Sequence, residues 1–443
     1  MSAPIIDLPL VASTHADASL TLLDDETLIR RSILPGGIRV LSQQVPAQRS
    51  VSLSVWCPIG SRHEDPAQAG SSHFLEHLLF KGTQYRSAAQ IANAFDEVGG
   101  DSNAGTTKEY TYYWARILGE DLPMAVTTLM EMITSSVLDG VEFDRERGVI
   151  LDELAMGADD PSEVVHEGFS RAVFGDYPLG RPIGGSIETV RAARREDVWD
   201  FYKREYLPHN LVVVAAGAVD HDQLCDFVLA AMRRTGWDLD SERAPAATPT
   251  PSPGEEARIF VSRTESTAKV GEQAHVIVGG RGISARDERR TTMSVLLGVL
   301  GGSMSSRLFQ VIREQRGLAY TTYAFDHSYT DFGCFGMYAG CAPRHVEQVE
   351  ELMWGQLRDL AEGGVEPDEL RRVKGQLRGG VALGLEDSSA RMVRLGLAEI
   401  LHQRFTPLAR TMANIEGTTA DDIAQLAQYL LAQPMARSFV TPQ

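Results

Sequence analysis

Short stretches patterned at every second residue alternate along the chain with longer ones patterned at every third or fourth. Gly37-Ile-Arg-Val-Leu-Ser42 and Ser52-Leu-Ser-Val-Trp-Cys57 alternate or run apolar as strands do, and so, far later, do Ala257-Arg-Ile-Phe-Val261 and Ala274-His-Val-Ile-Val278. Phe95-Asp-Glu-Val-Gly-Gly100 leads into strand-like residues 110–117, just as Ile312-Arg-Glu-Gln-Arg-Gly317 leads into residues 332–339. Each half thus runs from a β-rich opening through a helical stretch and a glycine-bounded strand pair to long helices, with an offset of about 220 residues. The pattern predicts an α+β protein of two duplicated domains, each a mostly antiparallel sheet covered by helices. Between the two sets, four prolines from Pro245 to Pro253 remove backbone donors and favour an extended spacer. The division that follows is an N-terminal extension over 1–35, a first domain over 36–240, a linker over 241–256 and a second domain over 257–443.

Composition narrows the function classes. The 443 residues, 43% hydrophobic and 23% charged, are those of a soluble globular protein with two or three compact units. A net charge of −18 repels phosphate backbones and anionic lipid, so neither nucleic acid nor a membrane is expected as partner, and an acidic cleft would favour basic ligands. The longest apolar run, Leu211 to Val219, has nine residues where about 20 are needed to span a bilayer. With no leader-like start and no CxxC among Cys57, Cys225, Cys334 and Cys341, the expected location is cytoplasmic.

The candidate chemistry centres on His73-Phe-Leu-Glu76-His77. On a helix, His73 and His77 share a face and Glu76 lies on its flank, so two imidazoles can grip one ion beside a carboxylate. Ser72 offers an N-cap, and Leu78-Leu79-Phe80 an apolar stripe. A catalytic zinc takes three protein ligands and leaves a position for water, so a third donor must come from elsewhere. Glu153 is a candidate, on an amphipathic stretch where Glu146 lies two turns before it; by itself this stretch reads as a solvated acidic face. His63-Glu-Asp65 reads as a turn, Cys334 and Cys341 as apolar core residues, and Gly99-Gly100 as a chain reversal.

His-x-x-Glu-His is the inverted zincin signature, and residues 70–83 around it closely resemble the pitrilysin (M16) family of zinc metallopeptidases. Asn103-Ala-Gly-Thr-Thr-Lys-Glu-Tyr-Thr-Tyr-Tyr113 resembles the family's Asn-Ala strand, Tyr177-Pro-Leu-Gly-Arg-Pro-Ile-Gly-Gly185 one of its loops, and residues 307–320 its C-terminal Arg and Tyr pair. Chain length is similar to the two-domain branch that includes the mitochondrial processing peptidase and small bacterial homologues, whose chains pair as a clamshell. The resemblance implies a third ligand about 76 residues after the second histidine, at Glu153. It further implies one Zn²⁺ per chain on His73, His77 and Glu153, with Glu76 as general base and Glu146 orienting a histidine or the water. Asn103 and Ala104 would pair with extended, unfolded peptide substrates, and Arg313 and Tyr320 would bind substrate in the partner's site, which calls for a homodimer. Glu163 and Glu167 stand where the processing branch reads an arginine. Met293-Ser-Val-Leu-Leu297, opposite His73 to His77, has no donors, and residues 300–304 lack the long glycine-rich loop of a non-catalytic processing subunit. The expected activity is a zinc endopeptidase or oligopeptidase acting on flexible peptides in a closed chamber; a non-catalytic assembly subunit and a dedicated leader peptidase are the alternatives.

Overall fold

The computed structural model describes residues 3–11, 20–240, 242–247 and 263–442. The strand expected over 257–261 and most of the proline-rich linker lie outside these residues. Strands β1 (Ile6–Asp7), β2 (Leu20–Asp24), β3 (Thr27–Leu34), β4 (Ile38–Gln44), β5 (Ser50–Cys57), β6 (Asp101–Thr106), β7 (Thr111–Leu118) and β8 (Val212–Gly217) open the chain. β2 to β8 form one sheet in the order β2-β3-β4-β8-β5-β7-β6, antiparallel except for β4 beside β8. Later come β9 (Thr264–Lys269), β10 (Ala274–Arg281), β11 (Ala319–Ser328), β12 (Gly333–Cys341), β13 (Arg404–Phe405) and β14 (Met435–Pro442). Five of them form the sheet β11-β12-β10-β14-β9, antiparallel except for β9 beside β14, while β13 pairs with β1. Read from the parallel pair outward, β4-β8-β5-β7-β6 and β9-β14-β10-β12-β11 follow one order. The repeat in the hydrophobic pattern is therefore a repeat of topology.

Residues 20–34 are not an extension. β2 and β3 are two strands of the first sheet, and Ile29, Ile33 and Leu34 are buried. They lie outside the two-fold repeat that marked the other strands, and Arg31 among them is buried against a carboxylate from the far half.

Both faces of each sheet are covered, which explains the unbroken apolar run of β8. Val51, Leu53 and Val55 of β5 pack with Phe74, Leu129 and Val228 from helices of the same half. On the opposite face, Trp56 of β5 and Val212 and Val214 of β8 pack with Met392 and Leu395 of the helix Ser388–Leu397, which belongs to the second half. The second sheet is treated reciprocally. Val276 and Val278 meet Met293, Met353 and Leu426 of their own half, while Ile277, Tyr338 and Val440 meet Val165, Phe169 and Val173 of the helix Pro161–Phe174 from the first half. Close approach is secured by glycine in both exchanged helices: a Cβ on Gly396 would lie 2.5 Å from the Trp56 ring, and one on Gly168 2.4 Å from Ser438 Oγ. A division at residue 240 follows the sheets but not the helices that cover them. Just past the exchanged helix in the chain, Glu399 accepts from the Arg31 fork through both oxygens at 2.8 Å, with the Arg31 and Glu399 side chains 1% and 0% exposed. Among the described residues, no helix is long and apolar enough to cross a membrane.

This exchange sets an expected result. A chain cut within residues 248–262 should remain one particle, whereas either fragment made alone should aggregate. Each fragment would bare a sheet face and leave one member of a buried ion pair without its partner, a loss of about 3–5 kcal/mol. Size-exclusion chromatography checks this; a monomeric 1–247 fragment that unfolds cooperatively would refute it.

Candidate metal centre

The helix Ser71–Leu78 buries Phe74, Leu75 and Leu78 and turns His73, Glu76 and His77 the other way. Its N-cap is Gly70 and not Ser72. The free N–H groups of Gly70 and Ser72 are instead taken by the carboxylate of Glu64, at 2.8 and 2.6 Å, where negative charge also complements the helix dipole. The second contributing helix, Gly140–Asp159, starts at Asp139, whose Oδ1 accepts from the N–H of Val141 at 2.9 Å and of Glu142 at 3.2 Å. Its inner face carries Phe143, Glu146 and Ile150, and the Phe143 ring stacks on Phe74 at 4.6 Å. That contact lays the two helices together and brings Glu153, two turns past Glu146, over the histidines.

Glu153 Oε2 lies 3.5 Å from His77 Nε2 and 3.8 Å from His73 Nε2, and the three donor atoms all fall within 4.8 Å of one another. Tetrahedral zinc with bonds of about 2.0–2.1 Å places its ligands roughly 3.3 Å apart, so this donor set fits that ion. Among the described residues it is the one group of three His, Cys, Asp or Glu side chains with such geometry. Burial and the neighbouring His77 push the His73 pKa down, which keeps that imidazole neutral with a lone pair to give. On the far side, Nδ1 of His77 donates to Glu146 Oε2 at 3.0 Å, leaving Nε2 to face Glu153. Burial raises the Glu146 pKa, but hydrogen bonds from Lys81, at 2.8 Å, and His77 outweigh it and hold the carboxyl below its ordinary value.

His73, Glu76 and Glu153 open onto a cavity of about 750 Å³. Glu163 and Glu167 line it too. So do Gly105 and Thr106 of β6, a strand at the edge of its sheet with Asn103 and Ala104 just before them. On that edge the Ala104 N–H donates to Asn103 Oδ1 at 2.8 Å. Arg313 and Tyr320 sit together: the guanidinium lies 4.5 Å from the Tyr320 ring and donates to the Tyr320 carbonyl at 2.9 Å. They are not among the residues lining the cavity, and Tyr320 is 73% exposed.

Residues 39–186 match the model of the family described as Insulinase (Peptidase family M16), and residues 192–377 that of the Peptidase M16 inactive domain. The chain belongs to peptidase family M16. It is 43% identical to an uncharacterised zinc protease of Streptomyces coelicolor, over 94% of this chain and 90% of that one. An uncharacterised zinc protease of Bacillus subtilis is 34% identical over 94% and 98%. The fold is that of a protease from Helicobacter pylori, with a TM-score of 0.87, 21% identity and coverage of 95% and 100%. A structure from Pseudomonas fluorescens titled as a peptidase M16 inactive domain aligns with a TM-score of 0.82, 16% identity and coverage of 94% and 98%. In this M16 chain the helix at the equivalent place in the second repeat, Arg290–Gly301, buries Met293 and Leu296 in the core of the second sheet.

The M16 cavity also holds residues that sequence reasoning passed over. Lys108, beside the Asn-Ala strand, is pushed down to about 8 by burial, and Arg181 lines the same space. Glu64 looked like part of a turn, and no local signal marks it, because its partners are the N–H groups of the next helix.

Proposed function

We propose that this M16 chain is a Zn²⁺-dependent endopeptidase that cleaves flexible peptides, with one Zn²⁺ per chain. The observation that carries the reading is the convergence of His73, His77 and Glu153 on one point, with Glu76 beside them in the same cavity. Bound there, Zn²⁺ would acidify a water and polarise the scissile carbonyl. Glu76 takes the proton of the attacking water and returns it to the leaving amine. Glu146 holds His77 in the orientation and tautomer that present Nε2. The open edge of β6 receives the substrate as an added strand, which selects unfolded segments. Arg313 and Tyr320 act on a substrate in the site of a second copy, donating where negative charge develops on the carbonyl oxygen. A role as a non-catalytic subunit fits less well, since the chain retains His73, His77 and Glu153 within 4.8 Å of one another, with Glu76 lining the same cavity. One observation favours the narrower reading of a leader peptidase: Glu163 and Glu167 line the cavity and suit an arginine side chain.

Metal analysis of the purified protein, together with cleavage of a mixed peptide library, tests the proposal. One Zn²⁺ per chain and cuts at many sequences are expected; cuts at a single basic motif would select the leader-peptidase reading. Absence of both metal and cleavage would overturn it. Mixing Arg313→Ala with Glu76→Gln chains should restore part of the activity, and no recovery in verified mixed dimers would assign each site to one chain.

A further inference from the structure

Residues 60–65 form a short loop held at several points outside the metal ligands, one of them the Arg181 guanidinium, which donates to the Glu64 carbonyl at 2.8 Å. At one end the Glu64 carboxylate, 4% exposed, grips the N-terminus of the helix that carries His73 and His77. Two residues away, Arg62 Nη1 donates to Glu109 Oε1 at 2.7 Å and to Asp331 Oδ1 at 2.9 Å. Its Nη2 donates to Asp331 Oδ2 at 2.7 Å and to the Tyr177 hydroxyl at 3.0 Å. Glu109 in turn accepts from the Thr330 N–H at 2.9 Å and the Thr330 hydroxyl at 2.6 Å. The side chains of Arg62, Glu109 and Asp331 are 7%, 2% and 8% exposed. Thr330 and Asp331 lie in the turn between β11 and β12, in the half without metal donors. A further point is backbone: the N–H groups of Ser61 and Arg62 donate to the carbonyls of Thr107 and Lys108, in the cavity wall, at 3.1 and 2.9 Å.

An ion pair withdrawn from water resists displacement, because shifting either partner strands a buried charge. We infer that this loop is a brace through which the metal-free half positions the metal helix, with Asp331 and Arg62 as positioning residues. Asp331 does not line the cavity, and it acts through Arg62, the loop backbone and Glu64. The inference rests on the zinc-peptidase reading for its purpose but not for its test.

Hydrogen exchange on the metal-free protein is the first measurement, since it needs neither Zn²⁺ nor substrate. Asp331→Asn keeps the Arg62–Glu109 pair and hence the fold. It should speed amide exchange across residues 70–78 about tenfold while leaving the helix Arg290–Gly301, in Asp331's own half, unchanged. Zn²⁺ binding, read by chelator competition, should weaken about tenfold, in the range for residues that support metal ligands. Arg62→Lys keeps the charge but loses the two-pronged fork, and should shift both readouts the same way. Because Asp331 reaches the metal helix through Glu64, Asp331→Asn combined with Glu64→Gln should lose little more than Glu64→Gln alone. Unchanged exchange over residues 70–78 in Asp331→Asn, or fully additive losses, would overturn the brace. Wild-type protein with neither metal nor peptide cleavage would instead defeat the peptidase reading, while the exchange result would still judge the brace.

Discussion

Replacing Glu76 with glutamine is expected to cut peptide hydrolysis by about 10²–10⁴-fold while Zn²⁺ content stays that of the unaltered protein. The amide has the shape of the carboxylate, so the helix Ser71–Leu78 keeps its buried face of Phe74, Leu75 and Leu78. The donors His73, His77 and Glu153 lie on other side chains and are untouched. What disappears is the acceptor for the water proton, and with it the return of that proton to the leaving nitrogen. Turnover of a fluorogenic peptide and metal analysis on the same sample check both halves of the expectation. Undiminished turnover would take Glu76 out of the mechanism, and loss of metal together with turnover would make it a structural residue.

The second large effect is expected at Glu153. Changing it to glutamine removes the anionic donor of the three and leaves two neutral imidazoles with a weak carbonyl oxygen. Zn²⁺ affinity should then fall by more than about 100-fold, beyond what losing a supporting partner costs. The Glu153 side chain is 46% exposed, so the exchange creates no cavity and the fold should hold. Asp152→Asn, an exposed neighbour on the same helix, controls for the general loss of negative charge and should bind Zn²⁺ as before. Chelator competition reads the affinities. Equal occupancy in Glu153→Gln would place the third donor elsewhere.

Much of the architecture is written locally. The alternation in Ser52-Leu-Ser-Val-Trp-Cys57 is that of a strand between two packed layers, and Leu53 and Trp56 do face different cores. The spacing of His73 and His77 places them on one helical face, where their rings lie 4.8 Å apart. The pattern is silent where a residue answers to a distant partner. Residues 20–34 fell outside the repeat and read as an extension, yet the Arg31 charge within them is met by Glu399 from the opposite half. Glu64 looked like a turn residue until the helix it caps was in place. Ser72 looked like a cap, because a serine before a helical stretch usually is one.

From the amino-acid order alone come the α+β class, the two-fold repeat of elements, and the paired imidazoles with their adjacent carboxylate. Each depends on spacing within a few turns or strands, where backbone geometry translates sequence directly into direction. The three-dimensional packing decided the rest: the exchange of covering helices between halves, the meeting of Glu153 with the histidines, and the cap on the metal helix. Those depend on which buried faces find one another across the chain. Such contacts arise from side-chain shape and the pairing of desolvated charges, and a local pattern carries no address for a partner hundreds of residues away.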